Sequence, residues 1–450
     1  MISKVNELTT KPVPQLIRQI AIPASVGFFF NTMYNVVDTF FGGLISTQAI
    51  AALSLSFPVF FIIIALGSGI GTGVTALVSN SLGSNNQTQA KRFAAQSLSY
   101  AIIVSLFLTF FGVFVSAPLF RILGASGEYL ELALSYINVI FYGTIFFVLN
   151  FTLNSILNSV GDTKSFRNFL IFGFFVNPFF NYWFMFGGFG LPAMGLPGIA
   201  LATVVTQALG VAYLLPRVFK TKLFTWEFWR EGVPQAGAFL ELSRQGIPAS
   251  LNMMTVAIGI FVITYFVSLF DQKAVAAYGI ATRIEQLFLL PTIGFNVAAL
   301  TLVGQNNGAK LFGRVKEVIK LCLKYSLWIM TGAAVLIFLF SIQLMSAFTN
   351  DQEVIKIGSD YLRIAAFITW AYPILFIITS VLQGLKRPAF AVWIGVFRQI
   401  VAPLVVFWLF INIFKLGIFG VWWGVFAIAW LSALISISYL GLTSKRIFRS

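Results

Sequence analysis

Apolar residues run in long, nearly uninterrupted stretches along this chain. Each stretch is close to the roughly 20 residues that an α-helix needs to cross a bilayer. Runs such as Phe57–Leu66 are apolar on every face, whereas the strands of a membrane β-barrel alternate apolar and polar residues. We therefore predict an all-α integral membrane protein with about twelve transmembrane helices, over residues 15–44, 50–80, 93–117, 130–157, 166–187, 195–216, 243–269, 275–305, 318–345, 358–383, 389–413 and 417–441.

The composition agrees with a lipid-covered surface. The 450 residues are 58% hydrophobic and 10% charged, against about a quarter charged in soluble domains. There is no histidine and one cysteine, Cys322, so a His/Cys metal site and an internal disulfide are excluded. A Walker-type phosphate loop is absent as well. We expect no cofactor, no catalytic centre and, because residues 1–14 are polar, no cleavable signal peptide.

The Lys and Arg residues that give the net charge of +15 are unequally divided between the loops on the two sides of the membrane. If both termini are cytoplasmic, the inner segments with the adjoining span ends hold 22 of the 29 Lys and Arg residues, and the outer segments with their span ends hold 5. This asymmetry is the positive-inside pattern of membrane proteins, and it requires an even number of spans. We expect a multi-pass protein of the cell (inner or plasma) membrane, in contact with anionic lipids and without a nucleic acid partner.

The sequence partly repeats itself after 225 residues. Ile22–Ser25 then falls on Ile247–Ser250, Gly69 on Gly294 and Tyr136 on Tyr361. Each half has six spans, so the halves share one orientation, and we expect two six-helix lobes related by a pseudo-twofold axis along the membrane normal. The predicted division is an N-terminal lobe over 1–216, an amphipathic linker over 217–241 and a C-terminal lobe over 242–450. Rocking of such lobes about a central cleft favours a transporter.

Polar residues within the spans mark the candidate chemistry. Asn31, Tyr34, Asn35 and Asp38 are spaced so that they share one face of the first helix. A charged residue within a span usually has a partner or a function. A carboxyl group that is partly removed from water exchanges a proton near neutral pH or binds a cation. An outer-interface carboxylate bonded to its own helix is the structural alternative.

Further in-span polar residues are unequally distributed. The first half is rich in asparagines, including a row at Asn150, Asn154 and Asn158 on the fourth span. The second half holds Glu285 with Arg283 and Arg398. Either a buried ion pair with one of these arginines or a transport role accounts for Glu285. We count Asn31, Asn154, Glu285 and Arg283 among the candidates for the substrate cleft.

Four motifs occur in order along nearly the whole chain. They are Ile22-Pro23 through Asp38 to Phe41-Gly42-Gly43 in the first span, Gly161-Asp162-Thr163-Lys164 after the fourth, Pro192-x-Met194-Gly195 before the sixth and Gly304-Gln305-Asn306-Asn307-Gly308 after the eighth. Together they resemble the multidrug and toxic compound extrusion (MATE) transporters, in particular the prokaryotic DinF-like branch.

The resemblance implies twelve helices in two lobes and export of organic cations in exchange for protons or sodium. It also implies a cation or proton site at Asp38, with Tyr34, Asn177 and Thr203. Many prokaryotic members have a second Asp where this chain has Asn181, so one carboxylate is missing here. Asp38 alone then exchanges one proton, or binds Na⁺ with neutral oxygens. Tyr136 and Tyr142 are further candidates for lining the cleft.

The sequence thus predicts a monomeric multidrug efflux antiporter that exports amphipathic, cationic organic compounds in exchange for protons, with sodium as the alternative ion. The main rival is a lipid-linked oligosaccharide flippase of a related fold, whose cleft needs several Lys or Arg residues for a pyrophosphate. Away from the ends of the spans, the basic residues are Arg283 and Arg398. The second rival is an integral-membrane enzyme, and the third is a passive channel.

Overall fold

The structure is a computed structural model and describes residues 3–224 and 231–447. Within those residues it has no strand, only an isolated bridge between Gly188 and Leu191. The helices are α1 (Ser3–Thr10), α2 (Val13–Ile45), α3 (Thr47–Gly83), α4 (Gln87–Ile122), α5 (Gly127–Tyr142), α6 (Thr144–Ser159), α7 (Lys164–Phe186), α8 (Leu196–Lys220), α9 (Ala236–Ser268), α10 (Gln272–Gly308), α11 (Phe312–Leu339), α12 (Ser341–Ser346), α13 (Gln352–Ile368), α14 (Ala371–Gly384), α15 (Ala389–Val396), the π-helix Phe397–Val401, α16 (Ala402–Trp408), the π-helix Leu409–Ile413 and α17 (Ile418–Ile447).

Ten helical segments of the described chain are long and apolar enough to cross a membrane. Two bent pairs, α5–α6 and α13–α14, bring the number to twelve if each pair counts as one span. The bends are 46° and 47° and fall in the predicted fourth and tenth spans. The prediction of an all-α membrane protein with about twelve spans is therefore confirmed, with two of the spans broken.

The first bend lies where two helices pack closely. Gly143 separates α5 from α6, and a Cβ there would lie 2.3 Å from Cγ2 of Val204 on α8. A larger residue would push α8 away, so glycine at this position is required by the close approach.

Contacts between Cα atoms divide the chain into two units. The first unit consists of Val26–Ser250 with the residues through Leu8, and the second of Thr9–Ser25 with Leu251 onward. The first part of α2 is thus grouped with the second unit, and the equivalent part of α9 with the first. The division of the sequence into 1–216, 217–241 and 242–450 stays a prediction.

Each unit has its own apolar core. In the first unit the core includes Leu77, Ile137 and Ile140, all nearly or fully buried. In the second unit Tyr361, Phe407 and Trp422 are the largest fully buried side chains. Large side chains packed inside each helical unit fix the helices that carry the polar residues.

The predicted linker is only partly described. Residues 225–230, with Trp226, Trp229 and Arg230, lie outside the described residues. The chain just after them is attached to α4, where the side-chain amide of Gln96 donates to the carbonyl oxygens of Glu231 and Val233 (2.7 Å to Val233). The same amide accepts from the backbone N–H of Gln235 at 2.9 Å. These bonds satisfy backbone groups of the short segment that precedes α9.

An aspartate caps α13 in the second unit. Oδ1 of Asp351 accepts from the backbone N–H groups of Glu353 and Val354, at 2.9 and 3.3 Å. These bonds, with the nearby Lys273 ammonium, hold the pKa of Asp351 below its usual value. The depressed pKa means that the cap stabilises the fold at neutral pH and that this contribution is lost as the pH falls through the folded pKa.

We therefore expect Asp351→Ala to lower the thermal unfolding temperature in detergent at pH 7, because two helix N–H groups lose their acceptor. The deficit relative to wild type should shrink as the pH is lowered toward 3. Asp351→Asn keeps an N-cap acceptor and should behave nearly as wild type at pH 7. A deficit for Asp351→Ala that does not change with pH would contradict this account of the cap.

Candidate functional site

The carboxylate of Asp38 is the centre of a polar cluster in the first unit. Asp38 lies on α2 and is half-buried. Its Oδ1 accepts from the side-chain amide of Asn181 at 2.7 Å, and its Oδ2 accepts from the hydroxyl of Thr203 at 3.1 Å. Asn181 on α7 is fully buried and Thr203 on α8 nearly so. Three separate helices therefore meet at this one acid.

A second layer of hydrogen bonds extends the cluster along α2 and α7. Nδ2 of Asn181 also donates to Oδ1 of Asn177 at 2.9 Å, and Nδ2 of Asn177 donates to the hydroxyl oxygen of Tyr34 at 2.8 Å. The helical spacing accounts for this pattern, since Tyr34 and Asp38, like Asn177 and Asn181, are one turn apart. The two rows face each other, so each α7 amide meets one α2 side chain.

The Asn181 amide and the Thr203 hydroxyl both donate to Asp38, an arrangement that suits a charged carboxylate. None of the ion pairs among the described residues includes this carboxylate. One acceptor is left over, because Oδ1 of Asn181 is buried without a hydrogen-bond partner in the described chain. A buried acceptor oxygen without a donor is costly, and here it lies beside a carboxylate. A proton or a cation placed between the two groups would satisfy both.

The five residues predicted for a cation or proton site, Tyr34, Asp38, Asn177, Asn181 and Thr203, are therefore brought together in one hydrogen-bonded cluster. Their role stays a prediction. Tyr136 on α5 is buried close enough to interact electrostatically with Asp38. Thr206, one turn from Thr203, is buried close enough to Tyr34 to interact with it, and it was not among the predicted site residues. Its position on the Thr203 face of the sixth span was the available signal.

The remaining candidates of the first unit lie away from these bonds. Asn31 is half-buried on α2, and its backbone carbonyl accepts from Asn35, which is therefore turned to its own helix. Asn154 is buried on α6, and Tyr142 is exposed at the end of α5. Within the Asn150 row, Asn150 itself pairs with the Gln207 side chain at 2.8 Å, a bond between helices. A cleft role for Asn31, Asn154 and Tyr142 stays a prediction.

Glu285 lies in the second unit and, within the described chain, has no arginine partner. It is buried, and its Oε2 accepts from the hydroxyl of Tyr361 at 2.9 Å. Neither Arg283 nor Arg398 appears in an ion pair among the described residues. The buried ion pair considered for Glu285 is thus wrong. Arg283, two residues away on α10, is exposed because residues i and i+2 point to different sides of a helix.

Comparison with known proteins agrees with the helix pattern and the repeat. The MatE family profile matches residues 23–183 and 248–409. The chain belongs to the MatE family. Its two matched segments correspond to the two halves of the sequence repeat, so the family profile occurs twice in one chain.

Curated relatives match along nearly the whole chain. The probable multidrug resistance protein YoeA of Bacillus subtilis is 27% identical over 90% of this chain and 88% of its own length. The probable multidrug resistance protein NorM of Thermotoga maritima is 27% identical over 94% and 91%. The FAD transporter of Shewanella oneidensis is 27% identical over 88% of each chain. These names do not favour the lipid-linked oligosaccharide flippase.

A solved structure supports the fold assigned to this MatE member. The outward-facing conformation of a multidrug resistance MATE family transporter of the MOP superfamily superposes with a TM-score of 0.90, at 23% identity, over 99% of this chain and 98% of the other. At this identity the match concerns the fold alone. It agrees with the all-α membrane architecture derived from the hydrophobic pattern.

Proposed function

We propose that this MatE member is a multidrug efflux antiporter that exports amphipathic, cationic organic compounds in exchange for protons by alternating access. The observation that carries the proposal is the Asp38 carboxylate, placed in a membrane-spanning helix and held by the side chains of Asn181 and Thr203. The names of the curated relatives support multidrug export. A monomeric state and a location in the cell membrane are part of the proposal, and the basic loops support cytoplasmic termini.

Protonation changes the hydrogen bonds that Asp38 requires. A charged carboxylate only accepts, whereas a protonated one also donates. To accept that new proton, Asn181 turns its free Oδ1 toward Asp38 and withdraws the Nδ2 group that now bonds Asp38 and Asn177. Asn177 then loses a partner and its contact to Tyr34 is strained in turn. Proton uptake from outside therefore rearranges the hydrogen bonds between α2 and α7 together and favours substrate release.

The membrane potential and the pH gradient supply the driving force for such a cycle. One elementary charge crossing the membrane contributes about 2.3 kcal/mol per 100 mV, and a pH gradient adds to it. Deprotonation of Asp38 on the inner side restores the bond from Nδ2 of Asn181. One carboxylate, with Asn181 in place of a second acid, limits this site to one proton per cycle.

Sodium is the alternative ion. Hard cations prefer oxygen ligands, and the cluster offers the Asp38 carboxylate, Oδ1 of Asn181, the Thr203 hydroxyl and the Tyr34 hydroxyl. The same acid therefore serves either ion, and the coupling ion is decided by experiment.

The test is export of a fluorescent cationic dye from proteoliposomes under an imposed pH gradient or an imposed sodium gradient. We expect the pH gradient alone to drive export, because proton exchange at Asp38 needs no other ion. Export that follows only the sodium gradient would replace the proton in the proposal. Flux that ignores both gradients would contradict antiport and favour a passive channel.

A further inference from the structure

The second unit contains a cavity of about 160 Å³ that the proposed proton cycle does not use. This volume corresponds to about five water molecules at roughly 30 Å³ each. All of its lining residues belong to the second unit, and those used below are Tyr278, Glu285, Tyr361, Tyr372, Phe376 and Arg398.

One wall of the cavity presents a carboxylate oxygen without a partner in the described chain. Glu285 is 5% exposed, and Tyr361 satisfies only its Oε2. Its Oε1 is buried, and no described residue forms a hydrogen bond with it. A buried carboxylate is costly unless it is paired or bonded, so this oxygen marks a place for a donor or a cation.

The tyrosine that holds Glu285 is itself firmly placed. Tyr361 is fully buried, and its ring packs against Trp422 with centroids 4.7 Å apart and against Tyr278 at 5.5 Å. These rings keep the Tyr361 hydroxyl pointed at Oε2 and so keep Oε1 directed away from it. The orientation of the free oxygen is therefore set by packing.

Another wall presents an arginine held by aromatic rings. The Arg398 guanidinium lies over the rings of Tyr372 and Phe376, with its carbon 5.9 and 5.7 Å from their centroids. No acidic side chain of the described chain forms an ion pair with it. Stacking on rings stabilises a guanidinium but leaves its N–H donors available to a planar acceptor.

The helix that carries Arg398 is locally distorted. Residues Phe397–Val401 form a π-helix, and Pro403 just beyond them cannot donate to the carbonyl oxygen of Gln399. A π-helical turn changes the direction of its side chains and is frequent at functional sites. Gln399 faces α9 at Gly259, where a Cβ would lie 2.2 Å from Oε1 of Gln399. The distortion thus places Arg398 and Gln399 on the cavity.

We propose that this cavity binds a small aromatic zwitterion, with its ammonium group at Glu285 and its carboxylate at Arg398. A ligand with only a positive charge would satisfy Oε1 of Glu285 and leave Arg398 unpaired, and an anion would do the reverse. The aromatic body packs against the rings of Tyr278, Tyr372 and Phe376. The inference concerns binding in the second unit and does not depend on the ion exchange proposed at Asp38.

The test is calorimetric titration of the purified full-length protein in detergent, with no gradient, using three related probes. They are 4-(aminomethyl)benzoate as the zwitterion, its methyl ester as the cation and 4-methylbenzoate as the anion. We expect the zwitterion to bind wild type at least about tenfold more tightly than either singly charged probe, because only it pairs both charges.

The variants assign the two ends of the ligand. Glu285→Gln keeps the shape of the side chain and should remove the preference for the zwitterion over the anion. Arg398→Gln should remove the preference for the zwitterion over the cation. Glu353→Gln and Arg363→Gln make the same chemical changes at exposed positions of the second unit and should bind as wild type.

Equal affinity of wild type for the three probes, or no binding of any of them, would overturn the proposal. So would unchanged zwitterion binding in both cavity variants, provided that gel filtration shows them to be folded. Tyr361→Phe supplies a milder check, because it frees Oε2 without altering the charge and should weaken zwitterion binding by a smaller factor than Glu285→Gln. None of these results bears on export driven through Asp38.

Discussion

Asp38→Asn is expected to abolish gradient-driven dye export while leaving a folded, membrane-inserted protein. Asparagine has nearly the same shape as aspartate, and its Oδ1 can still accept from Asn181 at the present 2.7 Å. It can neither bind a proton near neutral pH nor carry the charge that holds a cation. Without exchange at this position the first unit has no proton-dependent change of hydrogen bonds.

The measurement is the proteoliposome assay with wild type and Asp38→Asn at matched protein density. Asp271→Asn is the control, because Asp271 is exposed and its side chain makes no capping bond to α10. We expect the control to export as wild type and Asp38→Asn to show only leak. Full export by a well-expressed Asp38→Asn would remove Asp38 from the mechanism.

A double variant separates the need for an acid from the need for Asp38 itself. Asn181→Asp in the Asp38→Asn background moves the carboxylate across the 2.7 Å contact to α7. Partial recovery of export would indicate that one acid anywhere in this cluster is sufficient. No recovery would indicate that the acid has to lie on α2.

Gly294→Ala is expected to cause the largest loss of stability among single-methyl additions in the second unit. A Cβ at Gly294 on α10 would lie 2.2 Å from the carbonyl oxygen of Ala21 and 2.2 Å from Oγ of Ser25. The carbonyl belongs to the backbone of α2 and cannot rotate away. Ser25 is also engaged, since its hydroxyl donates to the carbonyl oxygen of Pro291 at 3.1 Å.

Adding atoms to a packed interior of this kind costs about 1–3 kcal/mol. In membrane proteins close helix contacts depend on small residues, because lipid supplies little hydrophobic force between helices. Thermal unfolding in detergent should therefore show a lower transition temperature for Gly294→Ala. Gly332→Ala on α11 is the matched control, because a Cβ there would meet nothing within 4 Å.

The repeat makes the same prediction in the first unit. Gly69 corresponds to Gly294, and its Cβ would lie 1.9 Å from Oγ of Ser250 and 2.5 Å from that residue's backbone nitrogen. Ser250 in turn corresponds to Ser25. Gly69→Ala should thus be destabilised in the same way, and a transition temperature equal to that of Gly332→Ala for either glycine would contradict the packing argument.

The sequence by itself determined the class of protein. The lengths of the apolar stretches predicted the helices closely, since a bilayer imposes a minimum length on every span. The matches at an offset of 225 residues predicted a duplication, which the family profile confirmed on residues 23–183 and 248–409. Asp38 and Tyr34 were identified by spacing along one helix, where neighbours are set by local geometry alone.

Contacts between side chains on different helices could not be predicted from spacing along a single helix. Asn177, Asn181 and Thr203 were connected to Asp38 only through the family resemblance, because a contact between α2, α7 and α8 depends on how the helices pack. Asn35 shows that a position on the predicted polar face does not ensure a place in the cluster. It lies on the predicted polar face, yet it donates to the backbone of its own helix at 3.0 Å and takes no part in the Asp38 bonds.

Only the tertiary structure decided the environment of Glu285. The sequence places Glu285 in the same half as the in-span Arg283 and Arg398, which suggested an ion pair, but the sequence says nothing of the distance between these side chains. In the structure Tyr361 occupies one carboxylate oxygen and aromatic rings hold Arg398, so the two charges line one cavity without forming an ion pair. The arrangement depends on side chains from α10, α13, α14 and the π-helix Phe397–Val401, which are distant in the sequence and meet only when the helices pack.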